Sequence, residues 1–163
     1  MQATRRLIVM RHAKAGDLPG GLDAERALNP RGRRDAAAAG DWLRGQDLVP
    51  DLVLCSTARR ARQTWQQVAA GLQKAVRVRE DPRLYGAGSG ELLDIIRAAP
   101  PEAARLMYIG HNPAAQDLAA GLIGQLAGFP AAAIAVIGLT APWAAIALGG
   151  GDRIALWTPQ PVS

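Results

Sequence analysis

The sequence predicts an α/β domain: a three-layer sandwich with a mostly parallel central sheet and helices on both faces. Three observations carry that prediction. Short, uninterrupted apolar runs recur along the chain, as strands buried on both faces require. Longer segments bearing helix start and stop signals alternate with those runs. The chain of 163 residues is 49% hydrophobic, enough for one well-buried core, with no linker, repeat or low-complexity stretch to mark a second. Residues 1–163 are therefore read as a single domain.

The elements follow in order. Residues 7–10, Leu-Ile-Val-Met, form the first buried strand. Residues 13–29 are rich in Gly, Asp and Pro and read as a loop. Asn29 then supplies a cap and Pro30 the first helical position, opening a helix over residues 30 to about 44 with Ala37, Trp42 and Leu43 on or near its inner face. Pro50 breaks the chain before a second strand at 52–55, where Cys55 reads as a buried thiol. Ser56 or Thr57 is positioned to cap a helix running to about residue 74. Residues 76–79 alternate and suit a strand nearer the sheet edge. A short helix over 91–98 stops at Pro100-Pro101, a fourth buried strand spans 106–109, and Pro113 starts a further helix through residue 121 or beyond. Residues 134–139, 144–148 and 154–157 are the late strands.

Composition narrows the function classes. The formal charge is +5, and residues 1–62 carry all of that excess, with 12 of the 19 basic and 7 of the 14 acidic residues. The bases are almost all Arg, whose planar fork suits phosphate or carboxylate oxygens. No Lys/Arg run is interleaved with aromatics, which are 4% of the chain, so nucleic acid is not an expected partner. A single cysteine excludes an internal disulfide and a cysteine-based metal cluster. No signal peptide is visible, and the chain reads as cytoplasmic. The stretch between Asp117 and Asp152 lacks any charge, but Gln125, Pro130, Pro142 and repeated glycines interrupt it, so strands and turns are expected there rather than a membrane span.

The only histidines, His12 and His111, each directly follow a predicted buried strand. In a parallel sheet, the loops leaving the strand C-termini converge on one rim, where ligands bind. A third such loop, residues 55–64, crowds Arg59, Arg60 and Arg62 at a helix N-terminus, where backbone N–H groups already favour an anion. A solvated helix face accounts for Arg59 and Arg62 but not for all three.

These residues fall into ordered motifs. Arg11-His12, Ser56-x-x-x-Arg60-Ala61-x-Gln63-Thr64 and Gly110-His111-Asn112 resemble the three signature segments of the histidine phosphatase superfamily, and Asn29-Pro30-Arg31-Gly32 looks like its lead into the first helix. Chain length, the His111-Asn112-Pro113 form and Phe129-Pro130 most resemble the small SixA-like branch of phosphohistidine phosphatases. The resemblance implies a phosphatase without cofactor or metal. In it His12 takes the phosphoryl group, while Arg11, Arg60 and His111 (with Asn112) surround the phosphate oxygens. Arg11 and Arg60 would hold His12 neutral, and a hydrogen bond from its other ring nitrogen to a backbone carbonyl would fix the tautomer.

Two departures from the family pattern matter. Ala13 stands where the family has glycine, which argues against positive φ there. The segment that often holds a glutamate acid reads poorly as such: Glu80 and Asp81 are candidates, as is Asp17 in the first loop, while Glu91 suits a helix start. An alkoxide leaving group needs a proton donor, whereas the imidazole of phosphohistidine needs much less help. The expected substrate is thus a phosphorylated signalling or carrier protein. The alternatives are a small phosphorylated metabolite and an inactive phosphate-binding module. Oligomeric state is not legible in the sequence.

Overall fold

The computed structural model describes residues 5–160, so residues 1–4 and 161–163 of the predicted domain, and the start of the segment read for a signal peptide, lie outside the described residues. One six-stranded sheet organises them, built from β1 (Arg5–Arg11), β2 (Leu52–Ser56), β3 (Arg77–Asp81), β4 (Arg105–Gly110), β5 (Ile134–Leu139) and β6 (Asp152–Trp157) in the order β3-β2-β4-β1-β5-β6. The first four strands are mutually parallel; β5 runs antiparallel to β1, and β6 antiparallel to β5.

Period-2 alternation explains why the runs are continuously apolar. Leu7 and Val9, Leu52 and Leu54, and Leu106 and Tyr108 face one core layer. Their neighbours Ile8 and Met10, Val53 and Cys55, and Met107 and Ile109 face the other. Each strand must satisfy both layers, and each large aliphatic side chain withdrawn from water contributes roughly 1.5–3 kcal/mol. The first layer is covered by α4 (Ser89–Arg97), α5 (Ala114–Ile123) and a 3-10 turn at Trp143–Ala145; the second by α1 (Pro30–Gly45) and α2 (Arg59–Leu72). The short α3 (Arg83–Gly86), which the sequence did not announce, leads into α4.

The inner face of α1 centres on Ala36, Ala39, Gly40 and Leu43; Trp42 is half-buried against the same core layer and stacks on Trp157 with ring centroids 6.0 Å apart, and Ala37 is half-buried. Three local expectations are corrected. Helix α2 is capped by neither Ser56 nor Thr57: Ala58 is the boundary residue, its N–H donating to Ser56 Oγ at 3.2 Å. The edge strand lies over Arg77–Asp81 rather than 76–79. Residues 144–148 form no strand, and Ile146 is the buried residue among them. That segment instead makes the 3-10 turn, which buries Trp143 and Ile146. No helix among the described residues is long and apolar enough to cross a membrane.

Candidate active site

Because β1, β2 and β4 are parallel, His12, the Ser56–Arg60 turn and His111 leave the sheet on the same rim. The rings of His12 and His111 lie 5.1 Å apart, centroid to centroid. Arg60 Nε donates to His12 Nε2 at 3.3 Å, and the guanidinium is almost wholly buried. Arg59 and Arg62 are exposed, Arg62 lying 3.9 Å from Glu80. Arg11 Nη1 donates to Phe129 O at 3.2 Å, and its Nε is buried with no acceptor.

The His12 tautomer is set by the backbone. Nδ1 lies 2.8 Å from Ala13 O, a carbonyl that can only accept, so Nδ1 carries the proton and Nε2 the lone pair. Ala13 is held in turn by its N–H to Thr64 Oγ1 at 3.0 Å, and Thr64 donates to Arg60 O at 2.7 Å. Gln63 Oε1 accepts from Leu28 N at 2.8 Å and pins the first loop against α2. The Gln63-Thr64 pair is therefore the clamp that fixes where His12 and Arg60 meet. As its alanine identity suggested, Ala13 does not have positive φ. Ala132 does, at 65°, and its N–H donates to His12 O at 3.1 Å.

Both histidines are held neutral. His12 is pushed down to about 3, first by burial and then by the charges of His111, Arg60 and Arg11, against the Ala13 carbonyl that favours protonation. The arginines thus act in the expected direction, but loss of water is the larger cause. His111 is pushed down to about 4, again chiefly by burial. Its Nε2 shares a 2.8 Å hydrogen bond with Ser56 Oγ, and its N–H donates to Tyr108 OH at 3.3 Å. Asn112 lies beside it, but its side chain serves the loop: Nδ2 donates to Phe129 O at 2.9 Å, and Oδ1 accepts from Gln116 N at 3.2 Å.

None of the three carboxylates singled out as acids joins His12. Asp17 is exposed in the first loop, with no hydrogen bond or ion pair from its side chain among the described residues. Glu80 sits on the edge strand near Arg62. Asp81 reaches the same rim, opposite Ser56, but its carboxylate is gripped by Arg83 at 2.7 Å and held below the usual carboxylate range.

The carboxylate at the site is Asp23, which the sequence reading missed. Its Oδ2 accepts from Arg60 Nη2 at 3.0 Å and from the Tyr85 hydroxyl, and its backbone O accepts from Arg60 Nη1 at 2.8 Å. These bonds, with Arg26 at 3.2 Å, hold Asp23 well below the ordinary carboxylate range, so it is an anion and not a proton donor. Tyr85 lies edge-on to His111, with centroids 5.6 Å apart, and under the Arg60 guanidinium at 5.9 Å. The one sequence signal for Asp23 was its place in the loop leaving β1. Its partners, Arg60 and Tyr85, lie 37 and 62 residues away.

A family model described as "Histidine phosphatase superfamily (branch 1)" matches residues 7–108. An uncharacterised protein of Mycobacterium tuberculosis is 36% identical over 162 residues, covering 93% of this chain and all of its own. Among solved structures, the putative phosphohistidine phosphatase SixA of Nakamurella multipartitia superposes with a TM-score of 0.87 at 34% identity, over 95% of this chain and 96% of that one. A protein histidine phosphatase SixA complexed with tungstate superposes with a TM-score of 0.81 at 27% identity, over 94% and 97%.

Proposed function

The chain belongs to the histidine phosphatase superfamily, and we propose that it dephosphorylates phosphohistidine in a signalling or carrier protein through a phosphoryl group held on His12. The observation that carries this reading is the fixed tautomer of His12: Nδ1–H is bonded to Ala13 O, leaving Nε2 as an unprotonated nucleophile beside Arg60. A pure phosphate-binding module has no need of such an arrangement.

In the first step His12 Nε2 gives up its contact with Arg60 Nε and forms the new P–N bond as the old P–N bond breaks; the substrate ring, protonated on its other nitrogen, takes the electron pair and leaves as neutral imidazole. Charge on the equatorial oxygens is met by Arg60, by the unpartnered Nε of Arg11 and by His111, preorganised by Ser56. Water then attacks phosphorus, inorganic phosphate leaves and His12 is restored. This route draws its positive charge from guanidinium groups and needs no metal ion.

The leaving group supports a phosphoramidate. Asp17, Glu80 and Asp81 make no contact with His12 and Asp23 is ionised, so none of these four carboxylates is a ready proton donor to an alkoxide at His12. The SixA proteins of the same fold, one of them complexed with tungstate, a tetrahedral oxyanion, support the same class. The test is hydrolysis, with excess chelator, of a phosphohistidine protein beside p-nitrophenyl phosphate and sugar phosphates, with wild type and His12→Ala in parallel. Turnover confined to the phosphohistidine protein and lost in His12→Ala is expected. Broad monoesterase activity would move the substrate to small metabolites, and full activity in His12→Ala would remove the mechanism.

A further inference from the structure

His111 forms a wall shared by two spaces. One is the phosphate position beside His12. The other is a cleft of about 280 Å³ between the 85–89 segment and the first turn of α5, lined by Tyr85, Ala87, Ser89, His111, Ala114 and Asp117 among others. That lining includes no Lys or Arg, and His111 is neutral at physiological pH. The single charge is therefore Asp117, exposed and with no hydrogen bond or ion pair from its side chain among the described residues.

We propose that this cleft receives the substrate beyond the transferred phosphoryl group, and that Asp117 makes it select leaving groups that are neutral or positively charged over anionic ones. The inference rests on the phosphatase reading of His12 and deepens it by naming the charge class of the leaving group. The occupant follows from continuity and charge. The cleft shares His111 and Tyr85 with the surroundings of His12 and Arg60, its walls are largely apolar, and its one fixed charge is negative. A leaving group carrying a carboxylate would meet Asp117 with no cation in the cleft to offset it. An imidazole, or a histidine flanked by a basic residue, meets an aromatic face and a carboxylate, both of which favour positive charge. Asp117 touches no reacting atom and acts as a specificity residue.

The test uses three N-phosphorylated imidazoles with the same reacting P–N bond: the unsubstituted compound, one carrying a trimethylammoniomethyl group on a ring carbon and one carrying a carboxymethyl group there. Values of kcat/KM are compared for wild type, Asp117→Asn, Asp117→Lys and, from the opposite wall, Ala87→Lys. Differences in intrinsic leaving-group reactivity cancel in the ratio of variant to wild type. The cationic-to-anionic preference is expected to fall about 3-fold in Asp117→Asn and in Ala87→Lys, each a change of one charge unit, and about 10-fold in Asp117→Lys, a change of two, at a solvent-screened distance. Thermal unfolding reports that each variant is folded, with a Tm expected within a few degrees of wild type. A preference identical in all four proteins overturns the subsite while leaving the His12 chemistry standing. Failure of wild type to hydrolyse any of the three removes the phosphatase reading and the subsite with it.

Discussion

His12 and His111 both lose proton affinity when the chain folds, and the sign of that change makes a prediction at the level of single residues. Their folded values, about 3 and about 4, lie below the unfolded value of 6.5. Between those limits the unfolded chain binds protons that the folded chain refuses, so stability is full above pH 6.5 and falls as the pH drops below it. Each histidine can contribute a slope approaching ~1.4 kcal/mol per pH unit in that window. Urea unfolding from pH 7 to 4.5 should show the loss, and His111→Ala should flatten it. Since only two histidines exist, imidazole NMR reads them directly, and neither should titrate above about pH 5. A resonance titrating near 6.5 would show that burial does not hold the proposed nucleophile neutral. Asp23 supports a second prediction. Asp23→Asn weakens the grip on Arg60 and should lower kcat/KM roughly 10-fold, within the range of lost charge-assisted hydrogen bonds. It should do so without moving the His12 titration; unchanged kinetics would make Asp23 a bystander. The sequence displayed His12, Arg11, Arg60 and His111 because each lies beside a strand end or helix start. It did not display Asp23 or Tyr85, since they become site residues only when distant loops meet, and an aspartate in a Gly/Asp/Pro loop is an ordinary turn residue.

At the scale of elements, the two helices on the His12 side approach more closely than side chains would permit. A Cβ at Gly71 of α2 would lie 2.7 Å from Ala37 O and 2.8 Å from Asp41 N, both backbone atoms of α1. Neither can yield without moving a helix, so Gly71→Ala should destabilise the fold by about 1–3 kcal/mol and lower Tm by several degrees. Thermal unfolding checks this; an unchanged Tm would mean that α1 slides freely. Activity should fall with it, because α2 carries Arg60, Gln63 and Thr64, and the face of α1 at Gly32 packs on the Lys14 backbone next to the His12 loop. The central strands β1, β2, β4 and β5 were legible from their continuous apolar runs, which two-sided burial imposes. The run at 144–148 satisfied the same pattern and is not a strand: only Ile146 of it is buried, and Leu148 is two-thirds exposed, so a short apolar run did not guarantee burial on both faces. Helix α3 escaped notice for the opposite reason: four residues are too few for a periodicity.

For the whole molecule, the excess positive charge sits in the first 62 residues, which also supply Arg11, His12 and Arg60, so composition and site agree on an anionic substrate. Geometry sharpens that agreement. Of the charges near the rim, Arg60 is the one buried among them, and it is bonded to Asp23 before any ligand arrives. An incoming tetrahedral oxyanion therefore meets an oriented guanidinium and spends little free energy arranging it. A ligand that binds only the folded chain stabilises it by RT ln(1 + [L]/Kd), about 2.7 kcal/mol at a hundredfold excess over Kd. Tungstate should accordingly raise Tm by several degrees in wild type, and the rise should shrink with added salt as the exposed part of the attraction is screened. Arg60→Ala should abolish the rise while leaving the ligand-free Tm lower by only a small margin, since Asp23 is exposed and can turn to water. An equal rise in Arg60→Ala would place the anion elsewhere on the basic half of the chain. A rise lost in Arg60→Ala but kept in His12→Ala would separate anion binding, assigned to Arg60, from the phosphoryl transfer proposed for His12.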